Sequence, residues 1–242
     1  MRGSVVSSFN DAALQYLAHA DVQKEAALWL SEYIPKERHG TALELGAGPG
    51  LFTDYLLPWK GQLTVSDVSP NMVSLGKQRF PNLVWETRDA RISYLTHYDY
   101  IFSSSMLQWV EDPLTCLVAL KNQLKPKGKL IMSLFIEGSL SELNAVAKLP
   151  GPLNWKSEKS WVCILNEAGL RMIRHNVKQS VNYFPTSMDG LKAIHASGAA
   201  PTRYITPGKL RTMLKSYDER FRTPLGVPFT LNIFRFEAEL DL

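Results

Sequence analysis

The chain has 242 residues and a formal net charge of +4, with 45% of residues hydrophobic and 21% charged. That balance excludes a wholly disordered polymer and suits one large domain, or a core domain with a lid. The basic excess is too small to mark a nucleic-acid binder. Only Cys116 and Cys163 occur, far apart, which excludes a disulfide framework or a cysteine metal site and reads as two reduced thiols of a cytoplasmic protein. Residues 1–8 lack an apolar leader core, and no run is long enough to span a bilayer, so neither a signal segment nor a membrane partner is expected.

Residues 9–34 come first. Leu14, Leu17, Val22, Ala26 and Leu30 form a helical apolar stripe, ended by Pro35. Phe9 and Tyr16 share a helical face, as do Tyr16, Ala20 and Gln23; the two aromatics either pack on the domain or cover a ligand pocket. Residues 42–50 read Ala-Leu-Glu-Leu-Gly-Ala-Gly-Pro-Gly. This predicts a buried strand, a tight loop and then a helix to about residue 57, with glycines that admit positive φ and close approach of a ligand. A second strand over 62–68 carries Asp67, and Ser69-Pro70 caps and opens the next helix. A third strand, 83–87, is followed by Arg88-Asp89-Ala90, and a fourth spans 98–103. A helix over 112–124 and the turn Pro126-Lys127-Gly128 lead to a fifth strand, 129–135. The alternation predicts an α/β fold with a parallel sheet covered on both faces.

Beyond residue 135 the rhythm breaks. We expect a connecting helix and loop over 137–151, then a helix over 157–168 stopped by Gly169. A strand over 171–184 and helices over 188–197 and 206–216 follow, the second opened by Thr206-Pro207. A last strand spans 230–239.

Two nucleotide readings compete for the glycine loop. The dinucleotide fingerprint needs a glycine three after Gly48, where Leu51 stands. The pattern is instead Glu-x-Gly-x-Gly-x-Gly. Glu44, two before the first glycine, would repel a pyrophosphate but suits an ammonium or sulfonium group, and S-adenosylmethionine carries both. Asp67, at the end of the second strand, can accept from both ribose hydroxyls; Asp89 can accept from an adenine amine. All three acids fall at strand ends on one sheet edge, where open α/β sheets bind ligands.

Residues 43–50, Asp67, Asp89, the Tyr98-Asp99-Tyr100-Ile101-Phe102 strand and Leu124-Lys125-Pro126-Lys127-Gly128 together resemble the class I S-adenosylmethionine-dependent methyltransferases. The resemblance implies a Rossmann-like, seven-stranded, mostly parallel sheet with an antiparallel last strand. It places a core over about 41–135, an N-terminal cap helix over about 9–34 and a helical lid with closing strands over about 136–242. Glu44, Gly46, Ala47, Gly48 and Gly50 would hold the methionine end, Asp67 and Val68 the ribose, and Asp89 and Ala90 the adenine. Ser103 would border the transferable methyl. A dehydrogenase is disfavoured because the third glycine is misplaced.

The fourth-strand loop, Ser103 to Trp109, lacks the Asn/Asp-Pro-Pro-aromatic motif of nitrogen-methylating enzymes, and it offers no strong base. No metal cluster or catalytic cysteine pair is expected, and Trp109 is expected to pack under the following helix. The N-terminal His19-Ala20-Asp21-Val22-Gln23, the Gln108-Trp109 pair and Gly138-Ser139-Leu140-Ser141-Glu142-Leu143 are similar to the malonyl-[acyl-carrier protein] O-methyltransferase family of biotin synthesis. So are residues 191–198, 205–210 and 224–234. Glu44 stands where many members carry Asp, Ala47 where many carry Cys, and the stretch between Gly198 and Ile205 is short. The resemblance implies methylation of the free carboxylate of malonyl-acyl-carrier protein. A carboxylate is already ionised near pH 7, so no general base is expected. Arg203 is then the candidate clamp for that carboxylate, with Tyr16 and Phe9 walling the site. Lys209, Arg211, Lys215, Arg220 and Arg222 could steer the acidic carrier protein. Methylation of another small acceptor, and a non-catalytic adenosyl-binding module, are the competing readings.

Overall fold

The computed structural model describes residues 17, 20–147, 155–196 and 206–241. The expected site residues Phe9, Tyr16 and Arg203 lie outside the described residues. In chain order the elements are α1 (Asp21–Ser31), β1 (Thr41–Leu45), α2 (Thr53–Leu56), β2 (Gln62–Asp67), α3 (Pro70–Arg79), β3 (Val84–Thr87), β4 (Tyr98–Ser104), α4 (Pro113–Lys121) and β5 (Leu124–Phe135). They continue with α5 (Ser141–Ala147), α6 (Glu158–Glu167), β6 (Leu170–Phe184), α7 (Ser187–Ala196), α8 (Pro207–Phe221) and β7 (Val227–Leu240). The seven strands form one sheet in the order β3-β2-β1-β4-β5-β7-β6. All pairings are parallel except those of β7, which runs antiparallel to both β5 and β6.

Alternation along the central strands fills two layers. Leu43, Ile101 and Leu130 point to the face covered by α4 and α6, where Leu117, Leu120, Trp161 and Leu165 meet them. Their neighbours Ala42, Phe102 and Ile131 point to the other face, against Ala27, Leu30, Phe52, Leu56 and Val73. Strands apolar on both faces are what a sheet buried on both sides requires. A third cluster of Phe135, Leu140, Leu143, Tyr217, Val227, Phe229 and Leu231 joins the carboxyl end of β5 to α5, α8 and β7.

Several elements differ from the expected bounds. The helix after the glycine loop is only one turn, because Gly50 takes φ 93° and the chain turns before Thr53. Strand β5 starts early because Leu124 pairs with Tyr98; Lys127, at φ 64°, accompanies a register shift before Tyr100 pairs with Lys129. Helix α8 runs on to Phe221 because Tyr217 is fully buried, stacked on Phe229. The Ser69 cap forms as expected, its hydroxyl accepting from the Met72 N–H at 3.2 Å with Pro70 at the first helical position.

Helix α1 is fastened to the sheet by charge. The buried Arg235 of β7 donates to Glu32 at 2.7 Å, and its guanidinium carbon sits 4.1 Å from the Trp29 ring and 4.2 Å from the Tyr33 ring. Arg174 of β6 covers the same Tyr33 ring at 4.0 Å, and Lys178 pairs with Glu25 at 2.7 Å. Stacked arginines of this kind bind through both charge and ring face. They clamp the middle and carboxyl end of α1 to β6 and β7.

Candidate active site

The chain passes from β1 to β2 and β3 on one side and to β4 and β5 on the other, so β1 and β4 flank the topological switch point. The glycine loop leaves β1 there. Gly46 and Gly48 take φ 63° and 56°, values that strain residues with a Cβ. A Cβ on Gly46 would stand 2.4 Å from Met106 Cγ. The loop folds back on β2: the Ala47 N–H donates to the Ser66 carbonyl at 3.0 Å, and the Gly48 N–H to Asp67 Oδ2 at 2.8 Å.

Asp67 therefore organises the loop as well as facing the cleft. Its other oxygen accepts from the Ser69 N–H at 2.8 Å. Burial pushes its carboxyl up from the usual range, while N–H donors from Ser69, Gly48 and Val68 pull it down; the net direction is up. Both oxygens keep accepting capacity beyond these single bonds, which fits a pair of ribose hydroxyls.

Glu44 has no solvent exposure. Its Oε2 accepts from the Thr53 hydroxyl at 2.7 Å, and its Oε1 has no partner among the described residues. Desolvation lifts its carboxyl to about 8; the Thr53 bond opposes this and the charges of Asp67 and Asp54 add to it. A buried acceptor left unpartnered is costly, and this one borders a small cavity with Gln23, Gly46, Ala47, Leu51, Phe52 and Ser104. The Gln23 Oε1 on the same cavity is also buried and has no partner among the described residues. Two orphan acceptors, one able to ionise, fit the ammonium of a methionine.

Three cavities meet here. A cleft lined by Leu45, Val68, Met72, Ala90 and Trp109, with Asp67 and Arg88 among its polar walls, shares Gly46 and Ser104 with the small cavity. A larger, mainly apolar chamber of about 320 Å³ lies under α1 and α7, walled by Phe135, Leu140, Trp155, Phe184, Phe229 and Leu231 among others. It shares Gln23 with the small cavity and Trp109 with the cleft.

Of the residues picked from sequence, Glu44, Gly46, Ala47, Gly48, Asp67, Val68 and Ala90 line these spaces. Gly50 instead shapes the loop, its N–H donating to the Ala47 carbonyl at 2.9 Å. Ser103 is buried and donates to the Leu45 carbonyl at 2.8 Å, tying β4 to the end of β1; its neighbours Ser104 and Ser105 face the cleft. The Asp89 carboxylate is held by Arg91 at 2.5 Å, and that bond holds its carboxyl below the usual range. Trp109, expected only to pack, also walls two cavities. Gln23, Met72, Arg88 and Met106 were not picked; helical spacing had grouped Gln23 with Tyr16, but Arg88 carries no motif. Among the described residues no cluster of His, Cys, Asp or Glu could hold a metal, and no helix is long and apolar enough to cross a membrane.

A family profile described as a methyltransferase domain matches residues 17–175. The chain is 30% identical, over 263 aligned positions and 94% of each chain, to the malonyl-[acyl-carrier protein] O-methyltransferase of Priestia megaterium (strain DSM 319 / IMG 1521). Its fold is similar to a solved Bacillus halodurans protein (BH2331) at TM-score 0.66 and 13% identity, covering 88% of this chain and 98% of that one. It is also similar to Haemonchus contortus phosphoethanolamine N-methyltransferase 2, solved with S-adenosylhomocysteine, at TM-score 0.56 and 17% identity, covering 91% of this chain and 52% of that one.

Proposed function

This chain belongs to the malonyl-[acyl-carrier protein] O-methyltransferase family of methyltransferases, and we propose that it methylates the free carboxylate of malonyl-acyl-carrier protein, as a cytoplasmic enzyme of biotin precursor synthesis. It is an S-adenosylmethionine-dependent O-methyltransferase. When bound, that cofactor supplies a methyl group made electrophilic by its sulfonium.

One observation carries the reading: the apolar chamber shares Gln23 with the small cavity and Trp109 with the cleft. Glu44 and Gln23 offer their orphan oxygens to the cofactor ammonium, and Gly46, Ala47 and Gly48 let the backbone close on its methionine end. Asp67 accepts from the ribose hydroxyls, beside Val68; Ala90 flanks the adenine, while Asp89 beside it is held by Arg91. Ser104 stands on both the cleft and the small cavity, where the methionine and nucleoside halves join.

The acceptor enters the chamber, whose apolar walls exclude water and suit an acyl thioester. The nucleophile is a carboxylate, so the chain need not remove a proton; positioning is its main contribution, and alignment of this kind supplies several kcal/mol. Arg203, with Tyr16 and Phe9, is the candidate for holding the carboxylate. On the outer face of α8 and just beyond it, Lys215 pairs with Glu219 at 3.7 Å and Arg222 with Asp218 at 3.6 Å, so Lys209, Arg211 and Arg220 lead the attraction of an acidic carrier.

Purified protein is incubated with S-adenosylmethionine and, in turn, malonyl-carrier protein, malonyl-coenzyme A and succinyl-carrier protein, and each product is weighed by mass spectrometry. One added methyl, fastest on malonyl-carrier protein, is the expected result. Turnover on none of the three, with the cofactor bound, would favour a binding module; preference for succinyl would overturn the malonyl assignment.

A further inference from the structure

Arg88 follows β3 and is 92% withdrawn from solvent, being only 8% exposed. Its position is fixed on several sides. Its N–H donates to the Asp67 carbonyl at 3.0 Å, and its Nε donates to Glu86 Oε2 at 2.5 Å. Its guanidinium carbon lies 4.5 Å from the Tyr94 ring centre and 5.8 Å from that of Tyr98. Yet its Nη1 is buried and donates to nothing among the described residues, and Arg88 lines the cleft beside Asp67, Val68 and Ala90. A buried guanidinium donor without an acceptor is costly, so the site is built to have one supplied.

The surroundings say what kind of acceptor fits. Glu86 already balances the charge of Arg88, so the pair exerts little net pull on an anion. The cleft walls around it are mostly apolar: Leu45, Val68, Met72, Met106 and Trp109. A neutral aromatic heterocycle with ring-nitrogen acceptors meets both conditions, and a charged donor bonds such a nitrogen more strongly than a neutral one does.

We infer that Arg88 Nη1 donates a hydrogen bond to a ring nitrogen of the cofactor's adenine. This rests on the cofactor reading above and adds a specificity residue to it. Asp89 next to it is held by Arg91, so at this turn it is Arg88 that faces the base, as a donor.

The test is a binding cycle by calorimetry, with no turnover needed. S-adenosylhomocysteine and its 1-deaza, 3-deaza and 7-deaza analogues are titrated into the wild-type protein, Arg88→Met and Glu86→Gln. In the wild type, one analogue should bind about tenfold more weakly than the parent, the size of a charged hydrogen bond. In Arg88→Met the parent should weaken by a similar factor and that analogue's extra penalty should vanish. Glu86→Gln keeps the donor and should keep the penalty. If Arg88→Met does not fold, Arg88→Lys, which retains the charge but not the guanidinium fork, serves in the same cycle. A penalty that persists unchanged without the guanidinium, or no penalty for any analogue, overturns the inference alone. Failure of the parent to bind the wild type overturns the cofactor reading and the inference with it.

Discussion

Replacing Glu44 with glutamine should change how stability depends on pH, and in a predictable direction. Glu44 is wholly buried and its carboxyl is lifted from 4.5 to about 8, chiefly by desolvation. The folded protein thus holds this proton more tightly than the unfolded chain does. The resulting stabilisation is fully present below about pH 4.5 and is lost as pH rises to about 8. At about 1.4 kcal/mol per pH unit, the whole loss is roughly 5 kcal/mol. Glu44→Gln keeps the shape and the Thr53 contact but cannot ionise. The difference in unfolding free energy, variant minus wild type, should therefore climb between about pH 5 and pH 8 and then level off. Urea unfolding followed by tryptophan fluorescence at several pH values measures it. A second arm tests the ligand side. At pH 7 wild-type Glu44 is protonated, so capture of an ammonium should release close to one proton, read from the buffer dependence of the calorimetric heat. Glu44→Gln should release none and bind S-adenosylhomocysteine more weakly. Parallel stability curves, or equal proton release, would refute the placement of an isolated buried carboxyl at this cavity.

Two further predictions concern the loop and the lid. Gly46→Ala should destabilise the protein by about 2 kcal/mol, from positive φ and the Met106 clash, and lower cofactor affinity; adding Met106→Ala should recover only the part due to the clash, as read by urea unfolding and calorimetry. Lys209→Ala with Arg211→Ala should raise KM for malonyl-carrier protein a few-fold at low salt and leave malonyl-coenzyme A little changed; an equal effect on both acceptors would remove these residues from carrier docking.

The core of this site is legible in the sequence because strand ends report it. Glu44, Asp67 and the three glycines each follow a short apolar run, and parallel strands deliver their carboxyl ends to one edge. What escapes sequence reading depends on turns and on distant segments. Arg88 and Asp89 are neighbours in one turn, yet one faces the cleft and the other faces Arg91; no periodicity separates them. Gln23 reaches the small cavity from α1, a helix that Arg235, Arg174 and Lys178, far along the chain, clamp to the sheet. The one-turn α2 followed from the backbone of Gly50, which no apolar pattern encodes.

In the proposed reaction the methyl group goes from S-adenosylmethionine to a carboxylate oxygen. Cofactor labelled with carbon-13 at the methyl should be incubated with the protein and malonyl-carrier protein, and the product read by NMR before and after mild alkali. A single labelled O-methyl ester signal that alkali converts to free methanol is expected. A label on carbon or nitrogen, resistant to alkali, or cofactor binding with no transfer to the malonyl group, would contradict it.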